Sequence, residues 1–136
     1  MRSGTLFTGD YPLFAEPSRV VPEDGDQTND DQYLNALLPA VRRSLESFQP
    51  DVLFYIGGAD PYHDDQLGGL ALSMEGLAER DKGVFEDARK RNIPVVTTLA
   101  GGYARRLQDT VQIHVNTILA ARGVAQKFPQ ARPAGH

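Results

Sequence analysis

The chain has 136 residues, and 40% of them are hydrophobic, which suffices for one domain with a modest core. Its net charge of −4 argues against a surface for direct nucleic-acid binding, which needs clustered lysine and arginine. There are no cysteines, so disulfide frameworks and cysteine-based zinc sites are excluded. We find neither the apolar run of a signal peptide nor the roughly 20 apolar residues of a membrane helix. We therefore expect a soluble, cytoplasmic protein.

The first third of the chain predicts one helix. Residues 5–8 are compatible with a short strand, and residues 11–31, polar and rich in proline, predict an extended surface loop. Asp30 or Asp31 is the predicted N-cap of the helix that follows. Pro50 ends this helix, whose apolar residues recur at steps of three and four positions: Leu34, Leu37, Leu38, Val41, Leu45 and Phe48.

Two apolar runs then predict strands on either side of a second helix. Residues 52–56 are continuously apolar, which is typical of a strand covered on both faces. Residues 93–99 predict another buried strand, with Pro94 at its entrance. A glycine-containing loop over residues 57–72 separates the first strand from a helix capped by Ser73. The inward stripe of that helix is expected to be Leu77, Val84, Phe85 and Ala88.

A third helix is predicted after Gly101 and Gly102, with its apolar residues on one side: Leu107, Val111, Val115, Ile118 and Leu119. The alternation of helices and strands predicts the α/β class, with a parallel sheet flanked by helices. We expect residues 1–126 to form this unit and residues 127–136 to be a flexible tail.

Candidate chemistry lies after the two predicted strands. Asp60 follows Gly57-Gly58-Ala59, and Tyr103 follows Gly101-Gly102. Neighbouring parallel strands bring such residues to one edge of the sheet, where binding sites form. A carboxylate and a phenolic donor at one cleft suit a metal site that stabilises negative charge. In the alternative interpretation, the aspartate caps a loop and the tyrosine packs beneath it.

For the other polar residues, structural or solvent-exposed roles are favoured over functional ones. His63 follows Asp60 by three positions, but a solvated or supporting role is favoured over metal ligation, because a proline interrupts the loop. His114 is expected at the surface or the core edge. Asp81 lies on the apolar face of the second helix and needs a partner such as an arginine. The acidic run at residues 23–26 lacks the ligand spacing of a calcium loop.

Several of these segments together resemble the histone deacetylase superfamily. The resemblance rests on residues 52–61, on Asp65-Gln66-Leu67-Gly68-Gly69-Leu70, and on the block from Gly76 through Arg80-Asp81 to Gly101-Gly102-Tyr103, all in the family's order and spacing. The Arg80-Asp81 pair and the Gly-Gly-Tyr turn look most like class IV and related bacterial deacetylases. The match extends over residues 11–123.

The resemblance implies the C-terminal half of an arginase–deacetylase fold, a parallel sheet between helix layers. It implies that Asp60 is a ligand of a catalytic Zn²⁺ and that Tyr103 is the catalytic tyrosine that binds the oxyanion. Asp65, with Gly58, Gly101 and Gly102, would support them, and Asp81 would be structural. The substrate would be an acetylated lysine or another acetylated small amine.

The sequence departs from the family in what it lacks. It contains no Asp-x-His and no His-His, which supply two zinc ligands and the general base in the family. A catalytic zinc ion takes about three protein ligands, so the isolated chain is expected to be inactive.

Three hypotheses follow from this departure. The chain is part of a zinc-dependent deacetylase completed by an N-terminal half, or a non-catalytic remnant that self-associates as a homo-oligomer, or a different arginase-fold hydrolase. The last is disfavoured, since no binuclear metal motif is present.

Overall fold

A computed structural model describes residues 28–129. Helices and strands alternate along this part of the chain: α1 (Asp30–Phe48), β1 (Leu53–Gly58), α2 (Met74–Lys90), β2 (Val95–Ala100) and α3 (Leu107–Lys127). The strands pair in parallel, from Leu53 opposite Val95 to Gly58 opposite Ala100. The predicted α/β class, with a parallel sheet flanked by helices, is confirmed. The strand predicted at residues 5–8 and most of the predicted tail lie outside the described residues.

Helix α1 begins one or two residues earlier than predicted, because Asn29 is its N-cap. The Asn29 side chain accepts a hydrogen bond from the backbone of Gln32, whose own side chain accepts one from the Asn29 backbone. The prediction of Asp30 or Asp31 as the cap was wrong. The Asp30 carboxylate instead accepts hydrogen bonds from the backbone and hydroxyl of Ser73, at 2.8 and 2.5 Å. This contact joins the first turns of α1 and α2.

Helix α2 carries the predicted features. Ser73 caps it by accepting a hydrogen bond from the Gly76 backbone at 2.9 Å. Its predicted inward residues are all buried: Leu77, Val84, Phe85 and Ala88. Gly83 leaves room for Leu38 of α1, since a Cβ there would lie 2.6 Å from a Leu38 methyl carbon. Close packing of this kind joins α1 to α2, and both helices contribute buried residues to the core cluster.

Among residues 28–129, helices cover the sheet on one face only. Tyr55 of β1 packs edge-on against Phe85 of α2, and a Cβ at Gly57 would touch Thr117 of α3. The opposite face consists of Phe54, Ile56, Val96 and Thr98, and all four are exposed. We call these four residues the open face. The exposed fractions of Phe54 and Ile56 are 61% and 55%, so the prediction of strands covered on both faces was wrong for the described residues.

Helix α3 shows the same asymmetry. Its buried residues are Thr110, Ile113, Thr117 and Val124. The predicted apolar stripe lies on the other side and is exposed, with Leu107 at 71% and the remainder at 45–53%: Val111, Val115, Ile118 and Leu119. Apolar periodicity located the stripe correctly, but it did not face the core formed by residues 28–129. None of the described helices has the length and apolar character needed to cross a membrane.

Candidate functional site

The residues after β1 and β2 meet at one edge of the sheet. Gly58 is paired with Ala100 at the last register position, and the Ala59 backbone donates a hydrogen bond to the Ala100 carbonyl at 3.2 Å. Because the strands are parallel, the segments that follow them leave from the same edge of the sheet. The fold therefore places Asp60 and the segment leading to Tyr103 beside each other, as the sequence predicted.

The Asp60 carboxylate contacts the Gly101-Gly102 turn directly. The Gly102 backbone donates a hydrogen bond to Asp60 Oδ1 at 3.2 Å. Gly101 has φ +56°, and a Cβ there would lie 2.0 Å from Asp60 Oδ2. Gly102 has φ +115°, and its Cβ would lie 2.6 Å from a methyl carbon of Thr110. Both positions therefore need glycine, for the backbone conformation and for the space that is occupied by Asp60 beside Gly101 and by Thr110 beside Gly102.

Asp65 ties the loop after β1 to the turn after β2. Its Oδ1 accepts hydrogen bonds from the backbones of Leu67 and Gly68, both at 2.8 Å, and its Oδ2 accepts one from the Tyr103 backbone at 2.6 Å. Burial alone would raise the pKa of the Asp65 carboxyl, but these three backbone donors outweigh it and lower the pKa. The carboxylate therefore acts as a cross-link between the two loops. This geometry suits the supporting role expected from the resemblance.

Tyr103 is held by its backbone and exposed at its side chain. Its carbonyl accepts hydrogen bonds from the backbone and the side-chain amide of Gln66, both at 3.1 Å. The side chain is 58% exposed. A fixed backbone with an accessible phenol can present a hydrogen-bond donor to a ligand. The catalytic role of Tyr103 and the metal-binding role of Asp60 stay predictions.

Two histidines border this region in different ways. His114 of α3 lies with Nε2 3.2 Å from the Gly101 carbonyl, and since a carbonyl only accepts, Nε2–H is the donor. Sequence reasoning missed this support of the glycine turn; the signal was a histidine about two turns into the helix that follows. His63 is exposed, and its Nδ1 lies 3.3 Å from the Leu72 carbonyl. It belongs to the loop framework.

Within residues 28–129 there is no group of three or more His, Cys, Asp or Glu side chains that could hold a metal ion. Catalytic zinc sites take about three protein ligands, and of the two carboxylates described at this sheet edge, that of Asp65 is already bound by three backbone donors. The described residues therefore do not form a zinc site by themselves. A surface depression lies at the opposite end of the sheet, lined by residues that precede the strands, among them Pro50, Asp51 and Ile93.

Comparison with known proteins identifies relatives for most of the chain. A sequence model of the histone deacetylase domain matches residues 18–118. Histone deacetylase 2 of Arabidopsis thaliana is 36% identical over 107 residues, covering 76% of this chain and 26% of that protein. An uncharacterized protein of Picosynechococcus is 35% identical over 96 residues, covering 71% and 32%. Histone deacetylase HDAC1 of Drosophila melanogaster is 27% identical over 104 residues, covering 76% and 19%.

The matches cover this chain far more fully than they cover the relatives. In the three relatives the matched region is between 19% and 32% of the protein, so this sequence corresponds to a minor part of each. Asp60, Asp65 and Tyr103 all fall within the matched residues 18–118.

Proposed function

This chain belongs to the histone deacetylase family, and from that premise we propose that it supplies part of the active site of a zinc-dependent deacetylase. The observation that carries the proposal is the contact between Asp60 and the Gly101-Gly102 turn, which joins a carboxylate to the segment that presents Tyr103. In this proposal Asp60 is one metal ligand and the Tyr103 hydroxyl donates to the oxyanion. The substrate is an acetylated lysine or another acetylated small amine.

The remaining ligands and the general base would come from polypeptide outside these 136 residues. Two features support this part of the proposal. The described residues contribute too few ligands for a catalytic zinc ion, and the open face leaves apolar area that a larger domain would cover. The isolated chain is accordingly expected to be inactive. The cytoplasmic location also stays a prediction, which cell fractionation would check.

Complementation tests the proposal. The chain would be co-expressed with the part of a histone deacetylase domain that it lacks, and the purified assembly assayed for bound zinc and for release of acetate from an acetyl-lysine peptide. We expect zinc and turnover only when both parts are present. Asp60→Asn should lose zinc, and Tyr103→Phe should retain zinc while losing on the order of 10²–10³ in rate. Asp31→Asn, an exposed carboxylate on α1, is the matched control.

A stable assembly with neither zinc nor turnover would refute the enzymatic proposal. If the Tyr103→Phe assembly were as active as the wild-type assembly, only the proposed role of the tyrosine hydroxyl would be refuted, because the hydroxyl is the group that the variant removes. An acetylated polyamine assayed beside the peptide distinguishes the two kinds of substrate.

The open face also favours a second candidate, a non-catalytic module that self-associates. Phe54, Ile56 and Val96 form an exposed apolar cluster on a sheet with only two strands in the described part. Such a surface associates in water. Light scattering after size exclusion would show a concentration-dependent oligomer if this candidate is correct, and a monomer at all concentrations would exclude it.

A further inference from the structure

A buried ion pair on α2 reaches the end of β1. Arg80 and Asp81 are 5% and 1% exposed, and Arg80 Nε donates to Asp81 Oδ1 at 2.8 Å. Arg80 Nη1 donates to the carbonyl of Gly58 at 2.9 Å. Gly58 is the last residue of β1 and precedes Asp60 by two positions. The Arg80 guanidinium thus binds both the Asp81 carboxylate and the Gly58 carbonyl, which lies just before Asp60 in the chain.

Asp81 extends this network to the other elements. Its Oδ1 also accepts a hydrogen bond from the Tyr55 hydroxyl of β1, and its Oδ2 accepts one from the Thr117 hydroxyl of α3 at 2.6 Å. Burial raises the pKa of the Tyr55 phenol, so this hydroxyl remains a donor throughout the neutral range. The Asp81 carboxylate therefore joins β1 to α3, and Arg80 joins the same network to Gly58 at the end of β1.

Stability alone is a poor explanation for such a pair. Burying two charges costs about as much as their attraction returns, and apolar side chains of similar size often hold helices together equally well. What an arginine offers beyond this is a rigid, planar set of donors that fixes two acceptors at once. The acceptor that is not part of the ion pair is the carbonyl of Gly58, the last residue of β1, two positions before Asp60.

We infer that Arg80 is a positioning residue for Asp60, acting through the Gly58 carbonyl. By holding that carbonyl, Arg80 sets the direction in which the chain leaves β1. The Ala59 backbone is then bound to Ala100, and the Asp60 carboxylate rests against Gly101 and accepts from Gly102. The inference rests on the proposed role of Asp60, but its structural part is testable without metal.

The test compares two variants in the full chain. Arg80→Lys keeps a positive charge beside Asp81 but replaces the planar fork with a single ammonium group that cannot occupy both donor positions. Thr117→Val removes a hydrogen bond to the same carboxylate and leaves the contact between Arg80 and Gly58 intact. The readouts are the backbone amide shifts of Ala59 and Gly102 by NMR, together with the melting temperature.

We expect Arg80→Lys to move the amide signals of Ala59 and Gly102, because the turn changes its angle to β2. Thr117→Val should lower the melting temperature while those two signals stay at their wild-type positions. In the complemented assembly, Arg80→Lys should weaken zinc affinity by about 10–100-fold, the usual effect of losing a group that orients a ligand. Thr117→Val should leave the affinity unchanged.

The outcomes separate the inference from the proposed function. If Arg80→Lys leaves both amide signals unmoved, or Thr117→Val moves them equally, the ion pair is only a core contact and the inference fails. If the wild-type assembly binds no zinc, the proposed function fails, and the amide shifts still decide whether Arg80 positions the turn. Should Arg80→Lys not fold, the double variant R80M/D81M removes both charges together and carries the same expectation for the amide signals.

Discussion

The two faces of the β1–β2 sheet carry similar amounts of apolar side chain, yet within residues 28–129 only one of them is covered. On the covered face, Tyr55 meets Phe85 and Asp81 of α2. On the open face, Phe54, Ile56 and Val96 are between 43% and 61% exposed. The difference teaches that apolar runs report what a strand is built to contact, whether or not the contacting element lies within the described residues 28–129. It also separates residues that stabilise this chain from residues available to a partner.

The largest expected effect lies in the network beneath the covered face. Asp81→Ala leaves the Arg80 guanidinium buried without its counter-ion, which should lower the free energy of unfolding by about 3–5 kcal/mol. Glu79→Ala, which removes an exposed ion pair with Lys82 on the same helix, is the control and should cost less than about 1 kcal/mol. Urea unfolding measures both. Equal losses of unfolding free energy in the two variants would mean that the buried network stabilises the chain no more than an exposed ion pair does.

A matched pair of leucines compares buried and exposed positions directly. Leu77→Ala on α2, where the side chain is 1% exposed, should cost about 2–5 kcal/mol through lost burial and the cavity left behind. Leu119→Ala on α3, where the side chain is 53% exposed, should change the free energy of unfolding by less than about 0.5 kcal/mol. A large loss at Leu119 would show that the outer stripe of α3 is covered in solution.

A matched pair of glycines tests the sheet edge where the two loops meet. Gly101→Ala should cost about 1–3 kcal/mol, because φ is +56° and the new Cβ would collide with the Asp60 carboxylate. Gly123→Ala in α3 meets nothing within 4 Å and should be neutral or stabilise the helix by up to about 1 kcal/mol. Thermal unfolding of both variants checks this, and a tolerant Gly101 would contradict the described turn.

The Asp65 cross-link should make the stability of the folded chain depend on pH. Its pKa is lowered in the folded chain, so its contribution to stability is present above the ordinary aspartate pKa of about 4 and is lost as pH falls through the lowered value. Asp65→Asn should therefore lower the melting temperature at neutral pH, and that temperature should depend less on pH below the ordinary aspartate pKa of about 4. Asp31→Asn is the control, and an unchanged acid profile for Asp65→Asn would refute the cross-link.

The smallest effect on stability is expected on the open face. Ile56→Ser should change the free energy of unfolding by less than about 0.5 kcal/mol, because its side chain is already 55% exposed. The same change should weaken any self-association of the chain, measured by sedimentation at several concentrations. A loss of stability comparable to that of Leu77→Ala would mean that the face is covered within the monomer.

These contrasts explain which features could be read from the sequence. Helix α2 was predicted with its cap and inward stripe because its partners, α1 and the sheet, lie in the same chain. The stripe of α3 and both strands were located, but their exposure could not be predicted, since periodicity does not show whether a covering element is present. Asn29 was missed because Asp30 is drawn to Ser73, a contact across 43 positions.

In the candidate site, too, some features could be predicted from the sequence and others could not. Parallel pairing and the glycine turns predicted that Asp60 and Tyr103 would share an edge, since that follows from strand order alone. Three contacts could not be predicted: the Asp65 cross-link, the hydrogen bond from His114 to Gly101, and the hydrogen bond from Arg80 to Gly58. They depend on side-chain directions, which residue spacing does not determine. Arg80 did leave one signal, because a charged residue lies on the apolar stripe between Leu77 and Val84.

The parallel register has a consequence for the order in which the chain folds. Leu53 pairs with Val95, 42 positions later, and the same separation holds along the whole ladder. A hairpin can close with a few residues, whereas this ladder must wait until α2 has formed and returned the chain to its starting edge. During synthesis on the ribosome, β1 and its apolar side chains therefore emerge long before their ladder partner. During that interval the apolar side chains of β1 lack their ladder partner, and exposed strand edges of this kind favour misassembly.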